Sequence, residues 1–373
     1  MKTISRRSFL QNMGAGIGAT AIATTLPGTT MHYPIRNNAA GKKLNIALCG
    51  LGRYAGILGE GFAFSQYCRL AGIVTGTPAK ALAWKKQYNI PEKNIYDYQH
   101  FDEIVNNKEI DLVYVVLPNA MHKEYVIRAA KAGKHVISEK PLATSVKDAE
   151  EMIKACKDAG VQLAVGYRLH YEPFNMELKR LGQEKVFGPV RLIEASLGYK
   201  VDDNKEWRLH KAMSGGGPLM NLGIYCVQVS RYILGEEPIS VTAQFNPVIN
   251  KDIFNEVEAS ITWQLNFTSG AVSNSTSSYT SNIDRVYAAA DNGFFELSPA
   301  ISYGPFKGRS SKEEFNFSAT INQQAAQMDG IAQYILANKP LPLHICGEEG
   351  LKDNRIMAAI YESAETGRKI SLV

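Results

Sequence analysis

A short apolar run, Lys43-Leu44-Asn45-Ile46-Ala47-Leu48-Cys49, leads directly into Gly50-Leu51-Gly52-Arg53-Tyr54-Ala55, and this junction restricts the fold more than any other part of the chain. The first stretch has strand length; the second is G-x-G-x-x-A opening a helix. Glycines there let the backbone turn tightly and approach a pyrophosphate, while the helix amino terminus offers unpaired N–H groups and a partial positive charge. The strand-turn-helix context, more than the hexapeptide, gives the motif its weight.

The pattern repeats. Residues 69–74, 95–98, 111–117, 135–138 and 162–165 read as further strands, with helices over 78–88, from His122 onward, and over 146–159. The run 111–117 is apolar almost without a break, as a strand buried on both faces requires. Strands alternating with helices specify an α/β chain with a doubly wound parallel sheet of Rossmann type, its strand ends facing the ligand crevice.

The second strand ends at Thr75-Gly76-Thr77, where an NAD site ordinarily places Asp or Glu for the ribose diol. Here a hydroxyl, Thr75, and two cations, Arg53 and Lys80, stand nearby. They suit a 2′-phosphate, so NADP is expected over NAD; Lys80 reads equally well as an exposed helix residue.

Ser5-Arg6-Arg7-Ser8-Phe9-Leu10-Gln11 precedes a weakly apolar stretch, 13–26, and a polar linker near 37–41. Residues 1–41 thus resemble a twin-arginine export signal with its linker, which predicts a periplasmic location. A membrane span needs about 20 apolar residues, so no stable membrane insertion is expected. Outside the cytoplasm no pool recycles a dissociated nucleotide. An exported dehydrogenase is therefore expected to hold its NADP tightly.

The remaining chain is long enough for two domains, expected over 42–166 and 167–373. Net charge is +5 but dispersed, without a basic run interleaved with aromatics, which argues against nucleic acid as a partner. The five cysteines form no C-x-x-C pair and read as buried thiols; no metal site is expected.

From residue 188 the pattern changes to consecutive strands, over 190–195, 239–245, 257–265, 271–278 and 286–290, with turns at Ser269-Gly270 and 291–293. They predict an α+β domain with a large, mostly antiparallel sheet. Met328, Ile331, Ala332, Ile335 and Leu336 fall at helical spacing and read as core, and a last helix over 348–366 should stop at Gly367.

Glu139-Lys140-Pro141 at a strand end, behind Pro118-Asn119-x-x-His122, resembles the Gfo/Idh/MocA family of glucose–fructose oxidoreductase, inositol dehydrogenase and their relatives. Residues 95–98, 166–171, Trp207-Arg208-Leu209, 215–220, Gly223-Ile224-Tyr225, 235–239 and 347–350 are similar to the glucose–fructose oxidoreductase branch, so the resemblance runs from about residue 43 to 370. It implies that Lys140 hydrogen-bonds the reacting sugar oxygen and that Tyr225 relays the hydroxyl proton. Gly50, Gly52, Arg53, Tyr54, Thr75, Lys80, Tyr98, Leu117, Asn119, His122, Glu139, Lys140, Arg168, Trp207 and Arg208 fall at nucleotide contacts. Lys140, Arg168, Tyr171, Asn221 and Tyr225 fall at the sugar. His122 also reads as a helix-start residue and Trp207 as a core aromatic. The family usually has aspartate where this chain has Asn221, which cannot hold a proton as a base at neutral pH. Asn221 is therefore expected to orient substrate.

The resemblance implies an aldose–lactone oxidoreductase that passes its hydride to a second sugar, assembled as a homodimer or homotetramer through the second sheet. Three other readings fit the same residues: a sugar or cyclitol dehydrogenase that exchanges free nucleotide, a nucleotide-dependent glycoside hydrolase, and a sugar-binding sensor.

Overall fold

The computed structural model describes residues 41–203, 206–317 and 321–373; the expected export signal and nearly all of its linker, residues 1–40, lie outside them. Strands β1 (Leu44–Cys49), β2 (Cys68–Val74), β3 (Ile95–Tyr96), β4 (Leu112–Val115), β5 (His135–Ser138) and β6 (Leu163–Val165) form a parallel sheet. Its order, β3-β2-β1-β4-β5-β6, reverses direction between β1 and β4. That switch point opens the crevice in which such sheets bind ligands. Along β1, Ile46 and Leu48 enter one apolar cluster while Ala47 and Cys49 enter the other. Both faces are covered, which is why the strands carry so few polar residues.

Local chemistry fixes the helices between them. Helix Val146–Asp158 starts at Ser145, whose hydroxyl accepts the Asp148 N–H at 3.1 Å. Helix Pro173–Gln183 has proline in its first turn, where no N–H is needed, and Glu172 accepts from the N–H groups of Phe174 and Asn175 at 3.1 and 2.8 Å. The last helix, Gly347–Thr366, stops at Gly367 with φ +66°.

The second sheet contains β7 (Val190–Gly198), β8 (Pro238–Phe245), β9 (Ser260–Phe267), β10 (Val272–Ser278), β11 (Ile283–Ala290), β12 (Gly293–Leu297), β13 (Gly308–Ser310) and β14 (Ile370–Ser371). They lie in the order β13-β12-β11-β7-β10-β9-β8-β14. Neighbours are antiparallel except β7 and β10, which run parallel. The sheet is therefore mostly antiparallel, as the consecutive strands predict. Helices Pro173–Gln183 and Ile224–Leu234 share an apolar cluster with Ile193, Ala195 and Leu265 of this sheet.

Helix Gln323–Leu336 returns to the first sheet, placing Met328, Ile331 and Ala332 against Ile46, Leu48 and Ile73. The nucleotide-type sheet is thus covered in part by chain from the second half. All five cysteines are buried thiols. No helix among the described residues is long and apolar enough to cross a membrane.

Candidate active site

The carboxyl ends of the parallel strands bring the motifs together. After β1 the chain turns at Gly50, with φ +99°, and a Cβ there would lie 2.5 Å from the Val116 carbonyl oxygen. Only glycine fits the turn. Gly52 precedes helix Arg53–Gly61 with open space around its missing Cβ. No side chain caps that helix and no acid sits in its first turn. Free N–H groups beside open space are what a pyrophosphate requires.

Beyond β2, Thr75 is buried and its hydroxyl accepts the Thr77 N–H at 3.3 Å. The Tyr98 ring closes on Gly76, where a Cβ would meet it at 3.0 Å. Arg53 and Lys80 are exposed. The residues present fit a dinucleotide, and the absence of a carboxylate from 75–77 fits one with a 2′-phosphate.

Lys140 follows β5 at a cis Lys140–Pro141 peptide. Its ammonium donates to the Asn221 main-chain carbonyl at 2.7 Å and stands 4.4 Å from the Tyr225 ring centroid. Asn221 lies in a π-helical turn, Leu219–Gly223, that feeds helix Ile224–Leu234 and hence Tyr225. Burial draws the Lys140 ammonium down to about 7, with Glu139 pulling the other way. Burial also raises the Tyr225 phenol, against the pull of Arg168.

Glu139 accepts from the Tyr114 hydroxyl at 2.7 Å, which in turn accepts from Gln327 at 2.6 Å. Gly166 leaves room for the Glu139 carboxylate: a Cβ there would lie 2.5 Å from it. Arg168, from the turn after β6, stacks between Tyr303 at 4.6 Å and Tyr225 at 5.3 Å. Its guanidinium donates to Gln323 at 2.5 Å and to the carbonyls of Ile301 and Ser302. Arg208 lies over the Trp207 ring at 4.5 Å and pairs with Glu206 at 3.1 Å.

Three further expected residues sit at or behind the strand ends. His122 is fully buried, its ring nitrogens 2.9 Å from the carbonyls of Leu117 and Pro141, so the single N–H of its neutral ring serves one of the two. The Tyr171 ring packs against Gly330 inside the apolar cluster of helix Gln323–Leu336. Asn119 is buried, its amide donating to the Ser214 carbonyl at 2.8 Å, and holds the turn before Gly215.

Sequence reading missed Tyr303, Gln323 and Glu258. Glu258 is half-buried and accepts from the N–H groups of Gly217 and Leu219 at 2.9 and 3.1 Å and from the Tyr361 hydroxyl at 2.9 Å. It fixes the glycine turn from which Asn221 hangs. Gln in its place has one acceptor oxygen for three donors, and Glu258→Gln is expected to destabilise the fold by about 2 kcal/mol, read from urea unfolding.

Comparison with known proteins agrees with this geometry. The sequence model of the oxidoreductase family with an NAD-binding Rossmann fold matches residues 44–167, and that of the GFO/IDH/MocA C-terminal domain matches 175–295. The crystal structure of aldose-aldose oxidoreductase from Caulobacter crescentus, complexed with glycerol, is 41% identical. It superposes with a TM-score of 0.86, covering 89% of this chain and 100% of that one. The chain belongs to the GFO/IDH/MocA oxidoreductase family. A relative, D-xylose 1-dehydrogenase [NADP(+)] from Haloarcula marismortui, is 28% identical over 74% of this chain and 78% of its own length. A second D-xylose 1-dehydrogenase (NADP(+)), from Haloferax volcanii, is 26% identical over 81% of this chain and 91% of its own length. Within this GFO/IDH/MocA chain, Lys140 lies in the part matched as the Rossmann domain and Arg168 just after it, while Asn221 and Tyr225 come from the part matched as the C-terminal domain.

Proposed function

We propose that this chain is an exported sugar oxidoreductase with a tightly held NADP, oxidising an aldose to its lactone and reducing a second sugar in the same pocket. The carrying observation is Lys140 Nζ, 2.7 Å from the Asn221 carbonyl and 4.4 Å from the Tyr225 ring, just after β5, one strand out from the switch point. The aldose-aldose oxidoreductase relative supports the two-sugar reading, the NADP(+) xylose dehydrogenases support NADP, and Arg6-Arg7 supports periplasmic export.

The nucleotide supplies a hydride acceptor in one half-reaction and a hydride donor in the other. Lys140, as the free amine, takes the proton of the anomeric hydroxyl, directly or through the Tyr225 O–H. The ammonium returns that proton to the carbonyl oxygen of a ketose such as fructose, giving an alditol such as sorbitol. Asn221 and Arg168 hold the pocket in shape, and the second sheet provides the surface for a homodimer or homotetramer. Incubating the chain with glucose and fructose, without added nucleotide, should give gluconolactone and sorbitol in equal amounts by chromatography. Turnover only with added NADP would instead establish the exchanging dehydrogenase that the xylose-dehydrogenase relatives favour.

The low Lys140 value sets a pH dependence of opposite sign in the two half-reactions. Sugar oxidation needs the amine, so its single-turnover rate should rise with pH through about 7. Sugar reduction needs the ammonium and should fall over the same interval. Stopped-flow traces of each half-reaction between pH 5.5 and 8.5 (an interval of about 1.5 units either side of the midpoint) check this. Two parallel profiles would contradict it.

A further inference from the structure

We infer that Tyr199 is a specificity-determining residue of the sugar site, donating its phenol O–H to a sugar oxygen away from the anomeric carbon. This rests on the sugar reading above and deepens it. Tyr199 follows β7, where Gly198 allows the chain to close on the Ser278 and Ser281 carbonyls; a Cβ at Gly198 would lie within 2.8 Å of the Ser278 oxygen and nearer still to that of Ser281. The Tyr199 N–H donates to the Ser278 carbonyl at 3.1 Å, and the ring packs on Tyr279 at 5.4 Å. Backbone and ring are thereby fixed, while 37% of the residue stays exposed.

Hydrogen-bond polarity decides the role. The Asn221 side-chain amide donates to the Tyr199 oxygen at 3.2 Å. A phenol has one proton and two lone pairs, so this contact uses a lone pair and leaves the proton free to be given elsewhere. The main-chain carbonyl of the same Asn221 receives the Lys140 ammonium. One residue therefore contacts two donors, Lys140 for the reacting oxygen and Tyr199 for another. A polyhydroxylated ring offers acceptor oxygens around its edge, and a fixed phenol selects among them by position. A carboxylate at 221 would reverse the polarity: it has no proton to give, so the Tyr199 O–H would turn toward it and away from the sugar.

The test uses the full chain with its bound nucleotide and follows reduction of that nucleotide against aldose concentration. Tyr199→Phe is expected to raise KM for the donor aldose about tenfold, with kcat within about twofold and nucleotide content unchanged. Asn221→Asp, which keeps shape and reverses polarity, should raise KM similarly. The double variant should be no worse than either single one, because both remove the same donated proton. An unchanged KM in Tyr199→Phe overturns the proposal, as does an Asn221→Asp variant with higher kcat and unaltered KM. A native chain whose nucleotide stays oxidised with every aldose tested overturns the sugar reading itself and this inference with it.

Discussion

Lys140→Met is expected to slow sugar oxidation by about a thousandfold without emptying the nucleotide site. Methionine keeps the length and apolar stem of lysine and removes its charge and protons. Two contacts are lost: the 2.7 Å bond to the Asn221 carbonyl and the ammonium over the Tyr225 face. The Tyr225 phenol, raised by burial, is then left without a strong base beside it. A thousandfold corresponds to about 4 kcal/mol of barrier, within the range of a positioned acid or base. Stopped-flow reduction of the bound nucleotide measures the rate, and its release on denaturation measures the content. A loss of nucleotide matching the loss of rate would place Lys140 in cofactor binding instead of proton transfer.

The glycine turn gives the second large effect and separates folding from binding. Gly50→Ala puts a methyl 2.5 Å from the Val116 carbonyl oxygen and 2.7 Å from Leu117, at φ +99°. Neither neighbour is free to move, since the Val116 N–H is bonded to the Cys49 carbonyl at 2.8 Å and Leu117 is buried. A loss of about 3 kcal/mol is expected, with the bound nucleotide lost as the turn shifts. Gly52→Ala meets nothing within 4 Å. Its stability should change by less than about 0.5 kcal/mol, while its nucleotide content falls if, as proposed, the open space at Gly52 receives the pyrophosphate. Urea unfolding and nucleotide content, measured on both variants, check the pair. Equal stability losses would show that the space at Gly52 is structural.

The sequence made the first sheet legible because its strands are buried on both faces and its turns carry glycine and proline. Asn119, Glu139-Lys140 and Gly50 could be placed because a parallel sheet brings its strand ends to one crevice. What a motif does not encode is burial. His122 and Tyr171 are polar residues beside informative ones, yet one is enclosed behind the strand ends and the other packs under helix Gln323–Leu336. Short strands such as β13 and β14 exist only because longer neighbours pair with them. Glu258 was invisible for a related reason: it acts on Gly217 and Leu219 from the turn before β9, and no local pattern announces a contact across the sheet.

The central claim is that one pocket passes a hydride from one sugar to another through a nucleotide that never leaves. The most direct measurement is the near-ultraviolet spectrum of the purified protein with no nucleotide added, taken before glucose, after glucose, and after fructose. The account predicts that the dihydronicotinamide band appears with glucose in stoichiometric amount and disappears with fructose. A flat spectrum that responds only when free NADP is supplied would contradict it.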